Sequence, residues 1–169
     1  MSAMAAPRVD RAWEVLGTVL DPEVPALSVR DLGIVRDVID HGEELEVVLT
    51  PTYSGCPATE VIEQSVLGAL QAEGLGPARA TLRRAPAWTT DWITEDGKRK
   101  LREYGIAPPH ATLPDGSVPI RIVRRDPPIA CPHCGSSHTE RTSAFGSTAC
   151  KALYRCLACR EPFEYFKPI

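Results

Sequence analysis

The sequence predicts an α+β protein in which a small two-layer α-β-β-α-β domain is followed by a C-terminal four-cysteine zinc ribbon. Three observations predict it. Apolar residues recur at three- and four-residue spacings over 7–20 and 57–73, which makes two amphipathic helices. Between them, Leu45, Val47 and Leu49 alternate with Glu44, Glu46 and Val48, the period of a half-buried strand. Near the end stand two Cys-x2-Cys pairs, Cys131/Cys134 and Cys156/Cys159.

The first helix is predicted over Pro7–Leu20, with Val9, Ala12, Trp13, Leu16, Val19 and Leu20 on one face. Asp21-Pro22-Glu23-Val24-Pro25 must end it, because two prolines so close cannot continue a helix. Ile34–Ile39 and Glu43–Thr50 read as a hairpin turning at Asp40-His41-Gly42. Pro57–Glu73 is the second helix, with Ala58, Val61, Ile62, Ser65, Val66, Ala69 and Leu70 expected to be buried and Gly74 and Gly76 stopping it. Ala78–Arg84 reads as a third strand, and residues 94–104 as a short charged helix that Gly97 weakens. The α/β domain with its helical extension is thus placed at 8–105. A proline-rich connection follows over 106–128, with a candidate strand at Val118–Val123, and the ribbon occupies 129–169.

A chain of 169 residues holds one ordinary domain plus something small, and 43% apolar with 24% charged residues describes a soluble globular protein. No run approaches the roughly 18 to 20 apolar residues that span a bilayer. The opening MSAMAAPRVDRAW lacks a long apolar core, so no secretory signal is read and the cytoplasm is the expected compartment. Closely paired cysteines there suggest metal or redox chemistry before disulfides. The net charge of −3 divides unevenly: residues 1–119 carry 11 Lys/Arg against 18 Asp/Glu, and residues 120–169 carry 8 against 4. A basic tail suits nucleic acid or an acidic protein, although such an excess is more often a solvated face. The ribbon flank Arg121, Arg124 and Arg125 shows no regular aromatic and basic interleaving, which argues against nucleic acid.

Each Cys-x2-Cys loop lets two sulfurs point at one tetrahedral ion, and the 21 residues between the pairs suit a hairpin that brings them together. A unit of forty residues buries too little apolar surface to fold alone, so the metal would supply folding free energy. Phe145, Tyr154, Phe163, Tyr165 and Phe166 are expected to cover its sheet. One structural zinc is favoured over a rubredoxin-like iron centre, which usually has a glycine after both knuckles; here Gly135 follows the first and Arg160 the second. An iron–sulfur cluster on the same thiolates is the remaining metal alternative. Four unrelated buried cysteines are the weaker explanation. His133 and His138 are not needed as ligands and are expected at the surface. Cys150 has two open readings, a small buried hydrophobe or a functional thiol that Lys151 favours.

Cys56 lies in Thr50-Pro51-Thr52-Tyr53-Ser54-Gly55-Cys56-Pro57, between a strand and a helix. Pro57 suits the first helical position, which places Cys56 at the N-cap, where unpaired amides and the helix dipole favour a thiolate. Glu60 and Glu63 on the same helix oppose this, so reactive thiol and packing residue both stand. Asp21 and Glu23 bracket Pro22 in an acidic turn: either a helix terminator with solvated carboxylates, or oxygen ligands and a proton acceptor near Cys56.

Asp21-Pro22-Glu23, Asp31-Leu32-Gly33-Ile34-Val35 and Thr52-Tyr53-Ser54-Gly55-Cys56-Pro57 together resemble the iron–sulfur-assembly domain of SufT-like proteins and cytosolic iron–sulfur targeting factors, over roughly residues 8–85. With the extension Pro86–Ile93 and the tail Phe145–Cys156, the whole chain is similar to the PaaD family (also called PaaJ), accessory subunits encoded with the bacterial phenylacetyl-CoA epoxidase. The resemblance implies a non-catalytic role in aerobic phenylacetate degradation. Its implied partners are a di-iron oxygenase subunit and an iron–sulfur reductase. The chain agrees in lacking a Glu-x-x-His pair and a glycine-rich nucleotide fingerprint. Maturation is the implied task, with Cys56, Cys150, Asp21 and Glu23 handling a transient cluster or iron for a partner. The alternative is a structural or regulatory subunit of the oxygenase.

Overall fold

The computed structural model describes residues 7–111 and 128–169, so the candidate strand at Val118–Val123 lies outside the described residues. The chain divides into two compact units, 1–97 and 98–169.

In the first unit, α1 (Arg8–Leu16) precedes β1 (Val35–Asp40) and β2 (Leu45–Leu49), then α2 (Thr59–Ala72) and β3 (Ala78–Leu82). The sheet order is β1-β2-β3, with β1/β2 antiparallel and β2/β3 parallel. The hairpin and the crossover through α2 follow from the loop lengths, since adjacent parallel strands need a long connection. Ala12 and Leu16 from α1, Val38, Leu45, Val47 and Leu49 from the sheet, and Ile62, Val66 and Leu70 from α2 build the core. Val61 and Ser65, expected in that core, are exposed because the 100° steps of the helix turn them away from Ile62, Val66 and Leu70. A charged network covers the outer sheet: Arg79 donates to Glu46 Oε2 at 2.7 Å, Thr81 Oγ1 donates to Oε1 at 2.8 Å, and His41 Nε2 lies 2.8 Å from Oε2.

α1 stops at Leu16, four residues short of the expected end, with Gly17 at its C-cap. The following loop, 17–34, is ordered and buries Val24, Leu27, Val29, Leu32 and Ile34. Its backbone is satisfied by side chains. Asp21 Oδ1 accepts from the amides of Glu23 (2.9 Å) and Val24 (2.7 Å). Ser28 and Asp31 exchange reciprocal 3.0 Å bonds in the manner of a capping box. Residues 86–97 then close over this loop. Trp88 Nε1 donates to the Leu32 carbonyl at 2.9 Å, the Thr94 amide donates to that of Asp31 at 2.9 Å, and the Arg36 guanidinium sits 3.6 Å above the Trp92 ring. Gly33 is required: its φ is +70°, and a Cβ there would fall 2.6 Å from the Trp92 carbonyl oxygen. Gly97 is also explained, since a Cβ would approach the Asp31 oxygen to 3.2 Å. A helix-weakening residue is accepted at that position for close packing.

α3 (Glu95–Tyr104) contains the division between the units. The second unit carries β4 (Ile106–Ala107), β5 (Thr139–Ser143), β6 (Lys151–Cys156) and β7 (Pro162–Phe166), ordered β4-β7-β6-β5. Ile106 and Ala107, which the sequence places in the connection, are both buried and pair in parallel with β7. Pro108 and Pro109, which cannot continue a ladder, follow immediately. Tyr154 stacks on Phe163 and meets Tyr165 edge-on, with ring centroids 5.8 and 5.6 Å apart. These rings join Ala107, Ile129 and Ala152 in a small core against the cysteines. Phe145, expected to cover the sheet, is instead exposed at the tip of the β5–β6 loop.

Candidate functional site

The sulfurs of Cys131, Cys134, Cys156 and Cys159 lie within 4.8 Å of one another, the one group of this kind found among the described residues. Cys131 and Cys159 sulfurs are 3.8 Å apart, and those of Cys134 and Cys156 3.6 Å. A tetrahedron with metal–sulfur bonds of about 2.3 Å has edges of about 3.8 Å, so the four thiols fit a single tetrahedral ion. Each knuckle is shaped by its backbone. In the first, the Gly135 amide donates to the Cys131 carbonyl at 2.8 Å and Gly135 takes φ +75°. In the second, the Cys159 amide points at the Cys156 sulfur at 3.5 Å and Arg160 takes φ +68°. The second knuckle therefore adopts the left-handed residue without glycine, and Arg160 does not discriminate zinc from iron.

The thiols titrate unequally. The Cys159 amide, helped by that of Ala158, lowers Cys156 to about 6. The Glu161 amide pulls Cys159 down, but burial and the neighbouring thiols push it up to about 12. Four sulfurs this close can ionise together only around a cation. His133 and His138 are exposed, at the surface where the sequence places them.

The second candidate site is a small apolar crevice in the first unit, lined by Asp21, Ile34, Leu49, Pro51, Thr52, Cys56, Thr59, Ile62 and Leu82. It brings Asp21 and Cys56 to one place; Glu23 does not line it. Asp21 is 4% exposed and Cys56 9%. Cys56 is not the N-cap of α2, a position taken by Ala58. Residues 53–59 instead form a looser entry turn, in which the Cys56 amide donates to the Tyr53 carbonyl and the Thr59 amide to the Cys56 carbonyl. The thiol still lies within one turn of the helix start. Two lining residues carry no signal in the sequence: Thr59, three residues after Cys56, and Leu82, whose strand comes to the crevice only through the parallel β2–β3 pairing. Thr50, six residues before Cys56, has a buried hydroxyl without a hydrogen-bond partner among the described residues.

Cys150 lies in the second unit, buried, with its sulfur 3.0 Å from Thr148 Oγ1. Lys151, expected to favour a thiolate there, directs its ammonium to Glu164 Oε2 at 2.8 Å. Glu164 is partly buried, which favours its neutral form, but Lys151 and the Ser147 amide hold its carboxyl below the usual range.

Among the described residues, no helix is long and apolar enough to cross a membrane. Residues 10–80 match the family model described as iron-sulfur cluster assembly protein, and residues 116–167 that of the PaaD zinc beta ribbon domain. A crystal structure of a domain of unknown function, DUF59, from Bacillus anthracis is similar in fold. Its TM-score is 0.52 at 24% identity, covering 56% of this chain and 91% of that one. An Escherichia coli protein described as a putative 1,2-phenylacetyl-CoA epoxidase subunit, PaaD, is 48% identical over 174 residues, covering 100% of this chain and 98% of its own length. With that identity sustained end to end, and an assembly domain followed by a PaaD ribbon, the chain belongs to the PaaD family.

Proposed function

We propose that this chain is a non-catalytic accessory protein of a phenylacetyl-CoA epoxidase system, which assists iron–sulfur cluster or iron insertion into a partner subunit. The observation that carries the reading is the convergence of Cys56 and Asp21 on one apolar crevice in an iron–sulfur-assembly fold. A soft thiolate suits iron–sulfur species, and a ligand set this sparse holds its cargo weakly enough to release it. The ribbon site is the opposite kind: four closed ligands that retain their ion. We assign that ion as one structural zinc, a reading supported by the tetrahedral sulfur spacing and by the match to a zinc ribbon. The oxygenase and the iron–sulfur reductase of the system are the proposed partners, and the cytoplasm, where all six thiols stay reduced, is the proposed compartment.

A second reading, a structural or regulatory subunit, is favoured by the burial of Cys56, which suits a small packed hydrophobe. Metal and acid-labile sulfide in anaerobically purified protein separate the two. Zinc should persist in Cys56→Ala and disappear in Cys131→Ala. Iron and sulfide bound on reconstitution should fall in Cys56→Ala, and so should cluster loading of the partner reductase. Equal loading by wild type and Cys56→Ala would overturn the maturation role.

A further inference from the structure

The β5–β6 loop holds Phe145, the most exposed large apolar side chain among the described residues at 64%. Its backbone is fixed on both sides. The Phe145 amide donates to Ser143 Oγ at 3.2 Å, that of Gly146 to the Lys151 carbonyl at 2.7 Å, and that of Ser147 to Glu164 Oε1 at 2.6 Å. Lys151, itself buried, pairs with the other oxygen of Glu164. A Cβ on Gly146 would fall 2.6 Å from Glu164 Oε1, so a larger residue there would displace the carboxylate that holds the loop. Lys167 Nζ donates to the Ala144 carbonyl at 3.0 Å and lies 4.4 Å from the centre of the Phe145 ring. A buried ion pair seldom adds stability over apolar packing. Here it holds in place a loop whose tip presents a phenylalanine to water. An aromatic side chain carried on a loop held in this way suits a binding hot spot, because little backbone freedom is lost on docking.

We propose that Phe145 is a docking anchor that enters an apolar, acid-rimmed socket on a protein partner of the epoxidase system; this rests on the accessory reading above. The acid rim follows from Lys167. Once the ring is buried, the ammonium beside it loses water and needs an anionic acceptor. Residues 98–169 carry 12 Lys/Arg against 6 Asp/Glu, +6 overall, which draws an acidic surface to this unit. Single-stranded nucleic acid fits less well. Tyr154, Phe163, Tyr165 and Phe166 are all buried, so no series of ring faces exists for successive bases among the described residues.

The test is binding of the full chain to the purified oxygenase and reductase subunits, each immobilised in turn. Phe145→Ala should weaken binding to one of them at least tenfold, while Phe145→Trp should stay within about threefold of wild type. Lys167→Gln should weaken it less and flatten its salt dependence. Metal content and circular dichroism of the variants must match wild type, which separates docking from folding. Equal binding by wild type and Phe145→Ala overturns the anchor alone. Failure of wild type to bind either subunit overturns the partner assignment and the anchor with it. Binding of a roughly 20-nucleotide oligothymidylate that depends on Phe145 overturns protein docking in favour of nucleic acid.

Discussion

Asp21 has a structural task that can be separated from any chemical one. Its Oδ1 accepts two amides, and that of Val24 is buried. Asp21→Ala leaves this amide without its acceptor, while the partly buried Glu23 amide can turn to water. A hydrogen bond to a charged group contributes about 1.5–3 kcal/mol, with the partly buried Glu23 bond near the lower limit or below it, so the alanine variant should lose about 2–4 kcal/mol. Asp21→Asn keeps an oxygen acceptor in the same place and should lose about 1 kcal/mol. The assay is urea unfolding followed by tryptophan emission. All three tryptophans, Trp13, Trp88 and Trp92, belong to the first unit, so the signal reports that unit by itself. Asparagine as damaging as alanine, or alanine within about 1 kcal/mol of wild type, would refute the reasoning. The asparagine variant then probes function. Near-native stability with lost cluster loading places the carboxylate in cargo handling; unchanged loading confines Asp21 to shaping the turn.

The left-handed Arg160 gives a second expectation. Arg160→Gly relieves about 1–2 kcal/mol of backbone strain and adds about 0.5–1 kcal/mol of unfolded-chain entropy, so a net gain of about 0.5–1 kcal/mol remains. Because metal binding and ribbon folding are linked, competition against a chelator should show about two- to fivefold tighter retention; weaker retention would contradict the strain. A third concerns acid. Hydrogen bonds from Arg79 first, then His41 and Thr81, lower Glu46 from 4.5 to about 2. A carboxylate depressed in the folded state contributes stability that is complete above the unfolded value and is lost as pH falls from about 4.5 towards about 2. Glu46→Gln should flatten that acid limb in tryptophan-monitored unfolding; an unchanged limb would refute the linkage.

The parts legible in the sequence are those that local spacing encodes. Cys131, Cys134, Cys156 and Cys159 meet because each pair is bound by its own short loop, so a single long-range contact completes the cluster. Ile62, Val66 and Leu70 are legible from their four-residue rhythm, which cannot say how wide the buried stripe is; Val61 and Ser65 fall just outside it. The loop 17–34 is opaque because its order comes from side-chain acceptors on Asp21, Ser28 and Asp31 rather than from any apolar period. Backbone handedness at Arg160 is opaque for another reason: composition favours glycine there, and the knuckle imposes the conformation on arginine. Phe145 departs from expectation because an aromatic residue near a small core is ordinarily part of it, and its exposure depends on a loop whose anchor, Glu164, lies 19 residues further on.

The closure of residues 86–97 over the Asp31–Gly33 turn also bears on modularity. The assembly-family match ends at residue 80, yet Trp88, Thr90 and Ile93 beyond it are almost fully buried in the same unit. Cutting the chain where the match ends would strip a lid of tryptophan from Leu32 and unseat the backbone that follows the acidic turn. A piece of this domain that keeps its lid therefore runs past Ile93, and a shorter one would carry a bare apolar scar where Trp88 had been. A related assembly domain could borrow the same lid only if it also carried a glycine at the position of Gly33 to receive it.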